Sequence, residues 1–380
     1  MKCGTSTWLH GKNGDKKIMF NNIYNNRRIL ITGHAGFKGA WLAFWSTHMG
    51  AHVYGYSLLP NTNPRMYDVL ELNKLLDGDM VADIRDTDKL NAYFKYVCPE
   101  IVFHLAAQPI VRLSYAEPVE TYTTNVIGTL NVLEAARRTP SVRAFVNVTT
   151  DKCYENKEKK EGYKENEPFG GYDMYSSSKG CSEILSSSYR RSFLTDGKPF
   201  ALATARAGNV IGGGDWAADR LIPDCIRAFQ KNETVFIRNP LATRPWQLVL
   251  EPLAGYLRLG QMLFEHGAKY ATGYNFGPEM NKDVKVCEVA QQVANVWGNG
   301  KVAVGNADGL HEANLLQLNI EKAERELGVK PVYTATEAIE KSTQWYKAFY
   351  DGKMDMKQFT KLQLDEFIRS AKLKNIQWSK

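Results

Sequence analysis

Short apolar runs alternate with longer amphipathic stretches from residue 28 to residue 206, and that rhythm predicts strands alternating with helices. The run at 28–32 passes through glycines at 33, 36 and 39 into an apolar stretch, so a strand, a glycine loop and a helix are expected in that order. Residues 52–56, 80–85, 101–108 and 145 onward predict four more strands, the last running into Thr150, Asp151 and Lys152. Residues 118–138, apolar at Val126, Leu130 and Leu133, predict one helix; 175–193 predict another, and 200–206 a further strand. Such alternation implies an α/β fold with a doubly wound parallel sheet. After residue 207 the rhythm breaks at a glycine-rich loop, and shorter elements suggest a smaller mixed α/β C-terminal substrate-binding domain. The expected boundaries are an N-terminal extension at 1–19, a dinucleotide-binding domain at 20–207, a mainly substrate-binding domain at 208–350 that partly returns to the first core, and a lysine-rich helical appendage at 351–380.

Composition narrows the function classes. A chain of 380 residues, 44% of them hydrophobic, buries a full core. The formal charge of +7 comes from 48 basic against 41 acidic residues that are interspersed, with no long basic run, so nucleic acid is not expected as a partner. The six cysteines are scattered without a Cys-x-x-Cys pair, which argues against a zinc site and a disulfide framework and suggests reduced thiols in the cytoplasm. No apolar run is long enough to span a bilayer, so no membrane partner is expected either.

The candidate chemistry gathers where strands end, because ligands of open α/β sheets bind beyond the carboxyl ends of the strands. Gly33 would make the tight turn, Gly36 would let backbone N–H groups approach a pyrophosphate, and Gly39 would permit close helix packing, with Phe37 beside them. Asp83, followed by Ile84, is placed either to accept from an adenine amino group or to cap the next helix. Leu105, Ala106 and Ala107 are small or apolar residues along which a cofactor could lie, and Gln108 follows them. About 20 residues past the glycine loop, where an acidic residue would bond a ribose 2′-OH, Ser57 and Leu58 stand instead. No arginine sits there to hold a 2′-phosphate, so NAD is expected over NADP. Tyr175 and Lys179 are four residues apart and share one helix face. Thr150, Asp151 and Lys152 would meet that pair in a cleft. Asn125 either reaches this cleft or is a surface amide. Arg206, Arg220, Arg238 and Arg244, with Asn209, suit a diphosphate and ribose, or are ordinary surface arginines.

Taken together, the glycine loop, Asp83, Thr150 and the Tyr175/Lys179 pair resemble the extended short-chain dehydrogenase/reductase family over roughly residues 20–350. Within it, residues 34–42, 150–156 and 242–252 resemble its nucleotide-sugar 4,6-dehydratases, with Lys152 where the dTDP-glucose enzymes carry glutamate. The resemblance implies a Rossmann-type sheet, NAD as cofactor, no metal, and CDP-glucose as the nucleotide-sugar substrate, dehydrated to its 4-keto-6-deoxy form. It also implies roles. Tyr175 would act as base at the sugar 4-OH, helped by Thr150 and by Lys179, which would hold down the phenol pKa. Lys152 and Asp151 would serve as base and acid in the elimination. A homodimer, or a tetramer built from dimers, would form through the helices 118–138 and 175–193. The rivals are an epimerase or a dTDP- or GDP-sugar dehydratase of the same fold, and a catalytically silent dinucleotide sensor.

Overall fold

A computed structural model describes residues 19–279, 284–305 and 315–380. Of the expected N-terminal extension, all but Met19 lies outside the described residues.

Seven parallel strands form the central sheet: β1 (Arg28–Thr32), β2 (His52–Ser57), β3 (Gly78–Val81), β4 (Ile101–His104), β5 (Ala144–Val148), β6 (Ala201–Ala207) and β7 (Gly273–Phe276). Their order is β7-β6-β5-β4-β1-β2-β3. Strands β4, β5, β6 and β7 are buried along their whole length, which is why they read as continuous rather than alternating apolar runs. Chain progression reverses between β1 and β4, and a switch of this kind leaves a crevice at the strand C-termini. In register, Thr32 stands opposite both Tyr56 and His104, so the loops after β1, β2 and β4 leave the sheet at one level.

Three expected elements differ in extent. The third strand ends at Val81, which leaves Asp83 in the following turn. The fourth ends at His104, so residues 105–108 are loop. The span expected as one helix is Pro118–Tyr122, a π-helical stretch Thr123–Gly128, and Thr129–Arg137. Side-chain hydroxyls of Thr123 and Thr129 donate to the carbonyls of Val119 and Asn125 there, and Gly128 lies so close to Ile84 that an added Cβ would sit 2.4 Å from its Cδ1. Single π turns of this kind recur next to functional sites.

The later part of the chain adds small two-stranded pairings: Val210–Ile211 with Gln247–Leu248, Thr234–Ile237 with Lys301–Val304, and Thr243–Arg244 with Val284–Lys285. The helix Leu250–His266 packs under β5 and β6 and is buried from Leu250 to Phe264. The last helix, Met356–Leu373, is fastened to the first by stacked aromatics. Trp378 lies 5.4 Å from Phe20 and 5.7 Å from Phe367, and meets Trp45 edge-on.

Candidate active site

A cavity of about 1650 Å³ opens at the strand C-termini, between the sheet and the later elements. Single-ligand pockets are commonly about 300–1,000 Å³, so there is room for two sizeable molecules. One wall is the loop after β1. Gly33 has φ +76° and lies against the loop after β4, where an added Cβ would stand 2.6 Å from the Ala106 nitrogen. At Gly39 a Cβ would stand 2.0 Å from the Gly33 carbonyl oxygen, so only glycine lets the helix Phe37–His48 approach this turn. Gly36 caps that helix without any side-chain acceptor, which leaves the first backbone N–H groups to a ligand. A diphosphate of a dinucleotide fits that cradle. Phe37, Asp83, Ile84, Leu105, Ala106 and Ala107 line the same cavity. The Asp83 carboxylate accepts from the backbone N–H and guanidinium of Arg85, so it is held in place by its neighbour while facing the cavity.

The second wall carries the acid–base groups. Thr150, Asp151, Lys152, Tyr175 and Lys179 all line the cavity, the first three on a turn after β5 and the last two on the helix Met174–Phe193. Asp173 caps that helix by accepting from the Ser176 N–H. Asp151 is 2% exposed. Its Oδ1 accepts from the Thr150 hydroxyl at 2.9 Å, and its Oδ2 has no hydrogen-bond partner among the described residues. Burial raises this carboxyl above its ordinary value, against the pull of Lys152, of the Thr150 bond and of Arg244. Burial likewise pushes the Tyr175 phenol up to about 12, opposed by a side-chain hydrogen bond with Thr150 and by Arg220. Lys179 donates to the Val148 carbonyl at 3.3 Å, and burial, helped by Lys38, lowers its ammonium to about 7. Lys179 was expected to hold down the Tyr175 phenol. Thr150 and Arg220 act in that direction, and Lys179 lies one turn along the same helix.

The arginines divide. Arg220, Arg238 and Arg244 line the cavity with Asn209 and Gln108. The Arg220 Nε is 3.5 Å from Asp215 Oδ2 without a hydrogen bond, and Arg238 lies 3.8 Å from Asp219. Arg206 does not line the cavity: it is 3% exposed and its guanidinium makes two 2.8 Å bonds to Glu183. Its expected contact with substrate is therefore corrected to a buried ion pair. Asn125 is also turned away, 1% exposed, with its amide exchanging bonds with the Gln108 backbone and donating to Ser178. It joins the loop after β4 to the tyrosine helix instead of touching a ligand.

Two residues of the glycine loop escaped the sequence reasoning. Lys38 lines the cavity, its ammonium 6.0 Å from the centre of the Tyr256 ring and lowered by burial to about 8, with Arg220 adding to the fall. The His34 ring is buried, bonded to Asp79 at 2.8 Å, and fills the space above Gly55. Their partners, Tyr256 for Lys38 and Asp79 and Gly55 for His34, are remote in sequence, so the local pattern did not reveal them.

Comparison with known proteins places this geometry. The family model for GDP-mannose 4,6 dehydratase matches residues 30–342. CDP-glucose 4,6-dehydratase from Salmonella typhimurium is 46% identical over 356 residues, covering 92% of this chain and 98% of that protein. The dTDP-glucose 4,6-dehydratase of the same organism is 25% identical, covering 84% and 93%. Among solved structures, a UDP-glucose 4-epimerase from Thermotoga maritima shares the fold with a TM-score of 0.73 at 22% identity, covering 85% of this chain and 99% of that one. Epimerase Mth375 from Methanothermobacter thermautotrophicus superposes with a TM-score of 0.75 at 22% identity, covering 87% and 95%. With a Rossmann-like parallel sheet, a glycine cradle and a Tyr-x-x-x-Lys helix facing one cavity, the chain belongs to the GDP-mannose 4,6 dehydratase family of extended short-chain dehydrogenases/reductases.

Proposed function

We propose that this protein is an NAD-dependent hydro-lyase that converts CDP-glucose to CDP-4-keto-6-deoxyglucose and water. Residues 20–207 would hold mainly the cofactor and residues 208–350 mainly the nucleotide sugar. When bound, NAD supplies a reversible hydride acceptor, and it returns to its starting state within one turnover. The product would feed deoxysugar synthesis of the O-antigen type in the cytoplasm.

The chain's own groups do the rest. Tyr175, as phenolate, takes the proton of the sugar 4-OH, and the Thr150 hydroxyl bonds the same oxygen. Lys179 sits one helical turn along and orients the cofactor ribose. Oxidation at C4 acidifies the C5 proton, so elimination then needs a base at C5 and an acid at the C6 hydroxyl. We assign these to Lys152 and Asp151. Burial raises the Asp151 carboxyl above its ordinary value, which favours the protonated form that an acid needs. The observation that carries this assignment is the unpartnered Oδ2 of Asp151, a buried carboxyl oxygen beside the cavity that holds Tyr175 and Lys179. A silent dinucleotide sensor has no use for it. Gln108, Asn209, Arg220, Arg238 and Arg244 are proposed to bind the nucleotide sugar, with guanidiniums on its diphosphate.

The choice of cytidine rests on the 46% identical relative. Cytosine presents an amino donor where thymine and uracil present a carbonyl, and a mismatched buried pair costs about 1–3 kcal/mol, roughly ten- to a hundredfold in kcat/KM. Incubating the protein with CDP-, dTDP-, UDP- and GDP-glucose tests this. A product lighter by one water, formed fastest from CDP-glucose, is expected; equal turnover of dTDP-glucose would overturn the substrate, and an isomer of unchanged mass would overturn the reaction.

The protein is also proposed to form a homodimer, alone or within a tetramer. Val119, Ile127 and Ile184 are exposed on the adjoining helical segments Pro118–Tyr122, Thr123–Gly128 and Met174–Phe193, an apolar face that a second copy would cover.

A further inference from the structure

The turn that bears Thr150, Asp151 and Lys152 is flanked by two side chains that lead to the same buried charge pair. On its N-terminal side the Thr149 hydroxyl donates to Glu183 Oε1, and Thr204 donates to Oε2 at 2.7 Å. On its C-terminal side the hydroxyl of Tyr154 accepts from Arg206 Nη1 and donates to Asn275 on β7 at 2.8 Å. Arg206 also donates to the Glu165 carbonyl at 3.2 Å and lies 5.1 Å and 4.8 Å from the ring centres of Tyr154 and Phe169. Arg206 and Glu183 are 3% and 1% exposed at the side chain and share two direct bonds. Neither lines the cavity.

For stability alone this is a poor use of the core. Two apolar residues of similar volume often do as well as a buried ion pair, or better, because both ions must be stripped of water. What an apolar pair cannot do is hold two hydroxyls, one on each side of a four-residue turn, at fixed positions. We propose that the Arg206–Glu183 pair is a positioning device for the reaction: through Thr149 and Tyr154 it clamps both ends of the 150–153 turn, so that Thr150, Asp151 and Lys152 meet the substrate in fixed geometry. The helix Met174–Phe193 supplies Glu183 as well as Tyr175 and Lys179, so one rigid element sets both halves of the acid–base apparatus. Close contact reinforces it: a Cβ on Gly180 would stand 2.7 Å from the Gly170 carbonyl and 3.3 Å from that of Cys153. The proposal rests on the assignment of residues 150–152 to the chemistry.

The test uses Thr149→Val and Tyr154→Phe, which each remove one hydroxyl and keep the shape, and Arg206→Met/Glu183→Leu, which replaces the pair by apolar volume. Amide hydrogen exchange, thermal midpoint, KM and kcat are measured on each, with Asp151→Asn as the reference for the assignment. The clamp requires faster exchange confined to the 150–154 segment, KM little changed, and kcat lower by about ten- to a hundredfold, the cost of a displacement near 1 Å. The double variant should show the same kcat loss even where its thermal midpoint equals that of the wild type. Unchanged exchange at 150–154 together with wild-type kcat, or a kcat loss that merely follows the unfolded fraction, would overturn the clamp. Faster exchange with wild-type kcat, and an equally active Asp151→Asn, would leave the clamp as a structural fact and overturn the assignment of the turn to the chemistry.

Discussion

Asp151→Asn separates the two halves of the reaction. The substitution keeps size and shape, and the new amide can still accept from Thr150 with one atom. The other atom, in the place of the unpartnered Oδ2, becomes an NH₂ group that cannot give up a proton. Gly208 lies beside that oxygen, and an added Cβ there would stand 2.4 Å from it. Loss of a general acid costs about 10²–10⁴-fold, so elimination should slow by at least about two orders of magnitude. Oxidation at C4, which rests on Tyr175 and Thr150, should proceed. Rapid-mixing absorbance should therefore show reduced cofactor building up in one turnover and decaying slowly. Stability should move the other way. Burial raises the folded carboxyl pKa, so the native state binds more protons than the unfolded chain, and stability falls as pH rises from the unfolded value near 3.8 through the folded one. The amide has no such pH-dependent penalty. Asp151→Asn should gain stability relative to the wild type as pH rises from about 4 toward 7, as thermal midpoints across pH would show. A variant that eliminates at the wild-type rate, or one that loses oxidation as well, would refute the assignment of the acid.

Lys179→Met should abolish turnover yet stabilise the ligand-free protein. The folded lysine pKa falls from 10.5 to about 7, so the native state binds fewer protons and wild-type stability climbs with pH between those values. At about 1.4 kcal/mol for each tenfold change in the protonation constant, the variant should gain on the order of 5 kcal/mol below pH 7 and lose that advantage by pH 10.5, as thermal midpoints across pH would show. Ile184→Asp, on the exposed apolar face, should shift the protein toward monomers in sedimentation without lowering its thermal midpoint by more than a few degrees; an unchanged sedimentation coefficient would place the interface elsewhere.

The sequence was informative where function imposes a local pattern. Gly39 is required by a contact within the loop itself and Gly33 by its left-handed turn and the loop after β4, and their spacing in front of an apolar helix announced the cradle. Tyr175 and Lys179 are one helical turn apart, and Thr150, Asp151 and Lys152 are consecutive; no tertiary information was needed to group them. Arg206 was misread because the residue that decides its role, Glu183, lies 23 positions away and meets it only when β6 packs on the tyrosine helix. Asn125 went the same way: its partners Gln108 and Ser178 come from two other elements, and its helix runs through a π turn that helical periodicity does not reveal. The C-terminal residues 351–380 looked like an appendage because their apolar positions are few. Phe367 and Trp378 are nonetheless buried against Phe20 and Trp45, and nothing in the local sequence names those partners.

The central claim is that hydrogen leaves C4 of CDP-glucose and returns to C6 of the same molecule. Turnover of a mixture of CDP-[4-²H]glucose and CDP-[6-¹³C]glucose, with mass and NMR analysis of the product, tests it most directly. The expected product carries the deuterium at C6 only in molecules that lack the ¹³C label, because each hydrogen stays with its own sugar. Deuterium lost to solvent, retained at C4, or found in the ¹³C-labelled molecules would contradict the proposed reaction.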